Sequence, residues 1–112
     1  MLGKAVAKYV RMTPRKVGYV IAPLRRRTVA EARKLLAVSG RRAAQPVGKL
    51  IDSAFANARA QQPMLQEDEV VISKLVADEG PTWKRFRAAA FGRAVPVLKR
   101  TSHITVELEK RA

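Results

Sequence analysis

DEGPTWKRFRAAAFGRAVPVLKRTSHIT, running from Asp78 to Thr105, is the stretch whose reading decides the fold. No acidic residue stands between Glu79 and Glu107, while six cations do: Lys84, Arg85, Arg87, Arg93, Lys99 and Arg100. Upstream, EVVISKLVA (Glu69 to Ala77) is apolar and β-branched, which is strand composition. Downstream, Arg100 to Glu109 alternates. Ser102, Ile104, Val106 and Leu108 face one way, and Thr101, His103, Thr105, Glu107 and Glu109 the other. Roughly 20 residues connect the two strands, and structureless loops of that length are uncommon in compact domains. The economical reading is that both strands continue outward as a basic β-hairpin, spanning about residues 79–100. At ~3.3 Å per residue its arms reach on the order of 35 Å. A lone two-stranded ribbon is marginal in water, so the tip is expected to order against a partner.

The rest of the chain supplies the body on which this ribbon stands. Lys4 to Val10 alternates as a half-buried strand, with Lys4, Val6, Lys8 and Val10 on one side and Ala5, Ala7 and Tyr9 on the other. Thr13-Pro14 reads as a helix N-cap followed by the first helical position. Val17, Val20, Ile21 and Leu24 then form one helical face, and Pro23 should kink or end that helix. Thr28-Val29-Ala30-Glu31 is a capping box for a second helix, which uses Val29, Ala32 and Leu36 inward. Ser39-Gly40 is expected to end it with a residue tolerant of positive φ. The third and longest helix is expected over Arg41 to Gln62, with Val47, Leu50, Ile51, Ala54, Phe55 and Ala58 as its apolar stripe. On its flank, Ser53 and Asn57 are small enough to let another backbone approach.

At 112 residues this is a single domain, 1–112, with no repeat or linker to divide it. Its 23 Lys and Arg against 9 Asp and Glu leave a net charge of +14. Such a chain repels itself unless a polyanion neutralises it. Nucleic acid fits better than a membrane surface, because the apolar helix stripes are needed for the core. There is no cysteine, hence no disulfide framework and no thiolate chemistry. MLGKAVAKYV lacks the apolar core of a signal peptide, and no apolar run is long enough to span a bilayer. A soluble, cytoplasmic protein without a membrane partner is the expectation.

Little in the sequence points to catalysis. His103 is the only histidine, and neighbouring strand residues point to opposite faces, so Ser102 and His103 cannot form a nucleophile–base pair. His103 reads as a hydrogen-bonded surface histidine or an RNA-facing one. Asp78-Glu79 lacks further ligands nearby and reads as a turn into the hairpin, so no metal and no cofactor are expected. Cations fall in three zones: Lys4 to Lys16, Arg25 to Arg27, and the hairpin. Arginine outnumbers lysine, which suits bidentate phosphate contacts. Trp83, Phe86 and Phe91 offer either stacking faces or packing within the ribbon. An RNA or DNA binder, and no enzyme, is the physical reading; charge alone does not choose between the nucleic acids.

Several of these stretches resemble the ribosomal protein L22 family of the large ribosomal subunit. AKYVRMTPRKV (Ala7 to Val17) is similar to the family's opening strand and helix start, and Thr28 to Ala32 to its second helix. DSAFANA (Asp52 to Ala58) resembles its NSAxANA motif, with Asp52 replacing the usual Asn. DEGPTWKRFR (Asp78 to Arg87) and KRTSHIT (Lys99 to Thr105) match the two arms of its hairpin. The resemblance implies an α+β fold: three helices packed on a three-stranded antiparallel sheet, with a long protruding β-hairpin. It implies a non-enzymatic constituent of the large subunit that binds large-subunit ribosomal RNA, touches neighbouring ribosomal proteins and supports assembly. The family's hairpin tip forms part of the peptide exit tunnel wall, near the nascent peptide; no homo-oligomer is expected. Cytoplasmic and organellar ribosomes remain open as locations, and a free-standing architectural RNA- or DNA-binding protein is the alternative function. Expected ribosomal RNA contacts are Lys4, Lys8, Arg11, Arg15, Lys16, Arg25, Asn57, Lys84, Arg85, Arg87, Arg93, Lys99, Arg100, Ser102 and His103. The expected tunnel tip is Ala89, Ala90, Phe91, Gly92 and Arg93. This sequence departs from the family pattern at Ala89 and Phe91, where basic residues are usual, and at Val95, Pro96 and Leu98. Arg26 also stands where the family has a glycine, and Pro23 enters the last turn of the first helix.

Overall fold

A computed structural model describes residues 2–88 and 94–111. Three α-helices and five strands follow one another as β1 (Gly3–Val10), α1 (Pro14–Ile21), α2 (Val29–Val38), α3 (Ala44–Gln61), β2 (Val70–Glu79), β3 (Trp83–Ala88), β4 (Ala94–Lys99) and β5 (Ser102–Lys110). The main sheet is antiparallel in the order β1-β5-β2, so the last strand sits in the middle. β3 and β4 pair as a second, two-stranded sheet, from Trp83 opposite Lys99 to Ala88 opposite Ala94. The fold is α+β as expected, and the tip residues Ala89 to Arg93 lie outside the described residues.

Helices cover one face of the main sheet. β5 contributes Ile104, Val106 and Leu108 to the core, each fully buried, on the alternation read from its sequence. β2 adds Val70, Ile72 and Leu75, and α3 adds its whole predicted stripe together with Ala44. Val17, Val20, Ile21 and Leu24 complete the layer, and Pro23 does end α1, turning Ala22–Leu24 into one turn of 3₁₀-helix. The closest approach in this layer is made by Gly3. A methyl group there would lie 2.4 Å from the Ala54 carbonyl oxygen and 3.0 Å from the Ala58 Cβ, so β1 crosses α3 backbone against backbone. Asn57 stitches the crossing by donating from Nδ2 to the Lys4 carbonyl at 3.0 Å.

Four expectations are corrected. Tyr9 has φ 59°, and the register of β1 against β5 shifts between Ala7 and Val10. This bulge reverses the alternation: Val10 packs against the core and Tyr9 is 53% exposed, the opposite of a regular strand. Next, α2 ends on Ser39 in an extended conformation (φ −74°, ψ 127°), with no left-handed residue at its end. Third, α3 begins at Ala44 rather than Arg41, leaving Arg41 and Arg42 in the preceding turn. Last, β5 begins at Ser102, so Thr101 lies in the junction below it and is fully buried instead of outward-facing.

That junction joins ribbon to body. Pro81 has no amide to donate, so the ladder cannot run unbroken from β2 into β3. Gly80 still donates to the Thr101 carbonyl (2.9 Å), and the Thr101 hydroxyl donates to the Pro81 carbonyl (2.6 Å). A side chain on Gly80 would sit 2.6 Å from Thr101 Oγ1 and 3.2 Å from His103 Cε1, so only glycine fits. The molecule is long, with extents of 64 × 26 × 17 Å and a radius of gyration of 17.1 Å. A compact domain of this length has a radius of about 13 Å.

Candidate nucleic-acid interface

Where β1 runs into α1, the chain turns through Arg11-Met12-Thr13 beside the root of the ribbon. Thr13 caps α1 as its sequence predicts: Oγ1 accepts from the Lys16 amide at 3.3 Å. That cap fixes the direction of α1, so the exposed Lys16 projects on the same side as Arg11. Ser102 closes the turn from behind, its hydroxyl donating to the Met12 carbonyl at 2.6 Å. The result is a cleft of about 490 Å³ lined by Arg11, Met12, Thr13, Lys16, Arg42, Lys99 and Arg100. Five cations from separate stretches of sequence converge on it, and among the described residues no carboxylate lines it. Such a cluster attracts a dense anion, and phosphates on a nucleic-acid backbone are of fitting shape and charge.

Four of the expected contacts, Arg11, Lys16, Lys99 and Arg100, thus come together. Others lie around them. Arg15 is exposed on α1 and donates from Nε to the Tyr19 hydroxyl at 3.1 Å. Arg25 leans on the edge of β2, donating from Nε to the Leu75 carbonyl at 3.0 Å. Asn57 is exposed on α3 but spends its amide on Lys4. Lys84, Arg85 and Arg87 stand on β3 opposite Leu98, Val97 and Val95. Arg93 lies outside the described residues with the rest of the tip.

Ser102 needs correction. It is fully buried and its hydroxyl is committed to Met12, so it shapes the cleft without reaching a ligand. The alternation that placed Ser102 with Ile104 and Val106 already assigned it to the inner face.

Lys4 and Lys8 occupy a different surface, the sheet face that the helices leave open. Lys4 stands across from Glu107, with Lys74 beyond, and Val6 across from Thr105, with Val76 beyond. His103 shares this face, opposite Asp78. It is half-buried, and its Nδ1 accepts the Tyr9 backbone amide at 3.1 Å, which puts the ring proton on Nε2. The Tyr9 ring meets the His103 ring edge to face, with centroids 5.0 Å apart at 88°.

Arg42 was missed because it was assigned to the helix. The signal was present as the Arg41-Arg42 pair just after Gly40, in a turn rather than a helix. Other cations are paired within the chain. Arg33 is ion-paired with Asp52 (2.7 Å) and with Glu67, and Arg27 with Glu31 (3.5 Å). The Asp52 that departs from the family's Asn therefore has a local partner. Among the described residues, no group of His, Asp or Glu could hold a metal, and no helix is long and apolar enough to cross a membrane.

Comparison with known proteins adds the following. The family model described as ribosomal protein L22p/L17e matches residues 5–109. A protein of Syntrophus aciditrophicus (strain SB) named large ribosomal subunit protein uL22 is 44% identical over 111 residues, covering 99% of this chain and 100% of the relative. A protein of the same name from Synechococcus sp. (strain JA-3-3Ab) is 50% identical over 103 residues, covering 92% and 83%. One from Halothermothrix orenii is 43% identical over 111 residues, covering 99% and 97%.

Proposed function

The chain belongs to the ribosomal protein L22p/L17e family, a structural, non-enzymatic constituent of the large ribosomal subunit, and on that premise we propose how it is held there. Its basic cleft and the cations around it grip large-subunit ribosomal RNA and support its assembly. The β3–β4 ribbon carries residues Ala89 to Arg93 to the wall of the peptide exit tunnel, near the nascent chain. The protein works as a single copy.

One observation carries this reading: five cations from the β1–α1 turn, the first turn of α1, the turn before α3 and the base of the ribbon line one cleft, with no carboxylate among the described residues that line it. Arg and Lys contacts to phosphate position a protein without reading sequence, so specificity comes from the folded shape of the RNA. A shape-reading protein must present its cations in a fixed arrangement. Here Thr13 and Ser102 hold the turn into α1, Thr101 holds the base of the ribbon, and Ser39 Oγ accepts from the Arg41 amide in the turn that bears Arg42.

With roughly eight phosphates neutralised, the log of affinity against the log of salt should fall with a slope of about −6 to −7. Filter binding to large-subunit ribosomal RNA over a range of potassium chloride measures it, and a slope near zero would reject the electrostatic grip. Sucrose-gradient fractionation tests the setting: the protein is expected to travel with large subunits. Recovery only in free fractions would point instead to an architectural nucleic-acid binder outside the ribosome.

A further inference from the structure

Tyr9 sits in a conformation that tyrosine rarely adopts, at φ 59°, and the residue is 53% exposed. The left-handed region crowds Cβ against the carbonyl, so glycine or asparagine would hold this bulge with less strain. The hydrogen bond that fixes the bulge uses the backbone amide, donated to His103 Nδ1, and any residue but proline could make it. Nor does the core need the ring: Val10 and Met12 pack against the core from this segment, and Tyr9 does not. The fold therefore requires a bulge at this position, but not an aromatic residue in it. Strained residues that the surroundings hold in place concentrate at functional sites, which directs attention to what the ring does.

Its neighbourhood narrows the partner. Lys8 precedes it and Arg11 follows two residues on, both exposed, and Val10 between them has turned inward. These cations lie close to the ring along the chain, which suits an anionic partner better than a purely apolar one. A nucleotide matches the pattern, with a flat base for the ring and phosphates for the cations. His103 packs against the ring from one side, edge to face, with centroids 5.0 Å apart.

We infer that Tyr9 is a base-stacking residue, its ring held out by the bulge and packed against His103 to receive an unpaired base of the bound RNA. The inference rests on the RNA-binding reading above and adds to it a contact with a base, where the basic cleft contacts phosphates.

Stacking and phosphate contact differ in their response to salt, and that separates them. Affinity for large-subunit ribosomal RNA is measured against salt for the wild type, Tyr9→Gly and Tyr9→Trp. Glycine accepts φ 59° without strain and keeps the amide, so this variant should fold, which a urea unfolding curve checks. Tyr9→Gly should bind about ten-fold more weakly or worse at every salt concentration, with the slope unchanged. Tyr9→Trp should bind at least as well as the wild type. A single-stranded RNA oligonucleotide should also bind the wild type more tightly than an abasic strand of equal charge, with that preference lost in Tyr9→Gly. Wild-type affinity in Tyr9→Gly, or a loss seen only as a smaller slope, overturns the inference and leaves the RNA reading standing. Absence of salt-dependent RNA binding by the wild type overturns both.

Discussion

Two residues outside glycine hold positive φ, Tyr9 and Arg26 among those described, and they do so for different reasons. Arg26, at φ 64°, lets the chain leave the 3₁₀ turn and dock on β2. Its amide donates to the Ile72 carbonyl, and the Arg27 carbonyl accepts from the Ile72 amide, both at 2.9 Å. These bonds are backbone only. A glycine at this position would therefore suit the backbone, and Arg26 carries a left-handed penalty of about 1–2 kcal/mol. Arg26→Gly should stabilise the protein, by up to about 1 kcal/mol once the greater freedom of glycine in the unfolded chain is counted. Urea denaturation measures this; a lower midpoint would mean the Arg26 side chain contributes more than its backbone strain costs. Gly3 is the opposite case, a glycine needed for space against Ala54 and Ala58.

At the level of elements, the junction between body and ribbon is the part most finely built. Three features coincide there: a proline that interrupts the ladder, a glycine too crowded for any side chain, and a buried threonine that ties the arms together. Thr101→Val keeps the shape but removes the donor, leaving the Pro81 carbonyl without this bond. The expected cost is about 0.5–1.5 kcal/mol, the net worth of one hydrogen bond, because Pro81 is exposed and water can replace the lost donor. The loss should be local. Hydrogen exchange at the Gly80 amide, which donates to the Thr101 carbonyl, should speed up while the amides of α3 keep their protection. Uniform loss of protection would show instead that junction and core unfold as one unit. Local signals such as the two threonine caps were legible because a cap acts within four residues. Thr28 Oγ1 accepts from the Glu31 amide at 3.2 Å, as the motif predicts. The bulge at Tyr9 was not legible, because its hydrogen-bond partner is 94 residues away.

For the whole molecule, the sheets divide the labour. The main sheet and helices close a core running from Val17 to Leu75 and from Ile104 to Leu108, and β3 and β4 pair with each other as a separate sheet. Replacing residues 83–98 by a short glycine-containing turn should therefore leave a folded body. Its thermal midpoint by circular dichroism should lie within a few degrees of the full chain, and its affinity for ribosomal RNA should fall because the hairpin cations are gone. A body that fails to fold without the ribbon would contradict this division.

Much was determined by sequence alone: most of the helices and strands, the inner faces of α1, α3 and β5, both threonine caps, the antiparallel ribbon and the net positive charge. These depend on periodicity, on contacts a few residues apart, or on summed charge, which the order of residues carries directly. Tertiary structure alone decided the rest. It placed β5 at the centre of the sheet, turned Tyr9 out and Val10 in, took Ser102 out of reach of any ligand, and brought Arg42 to Arg11, Lys16, Lys99 and Arg100. Each of those outcomes depends on chain segments distant in sequence meeting in space. Only the closed core, acting through backbone hydrogen bonds and steric fit, brings them together.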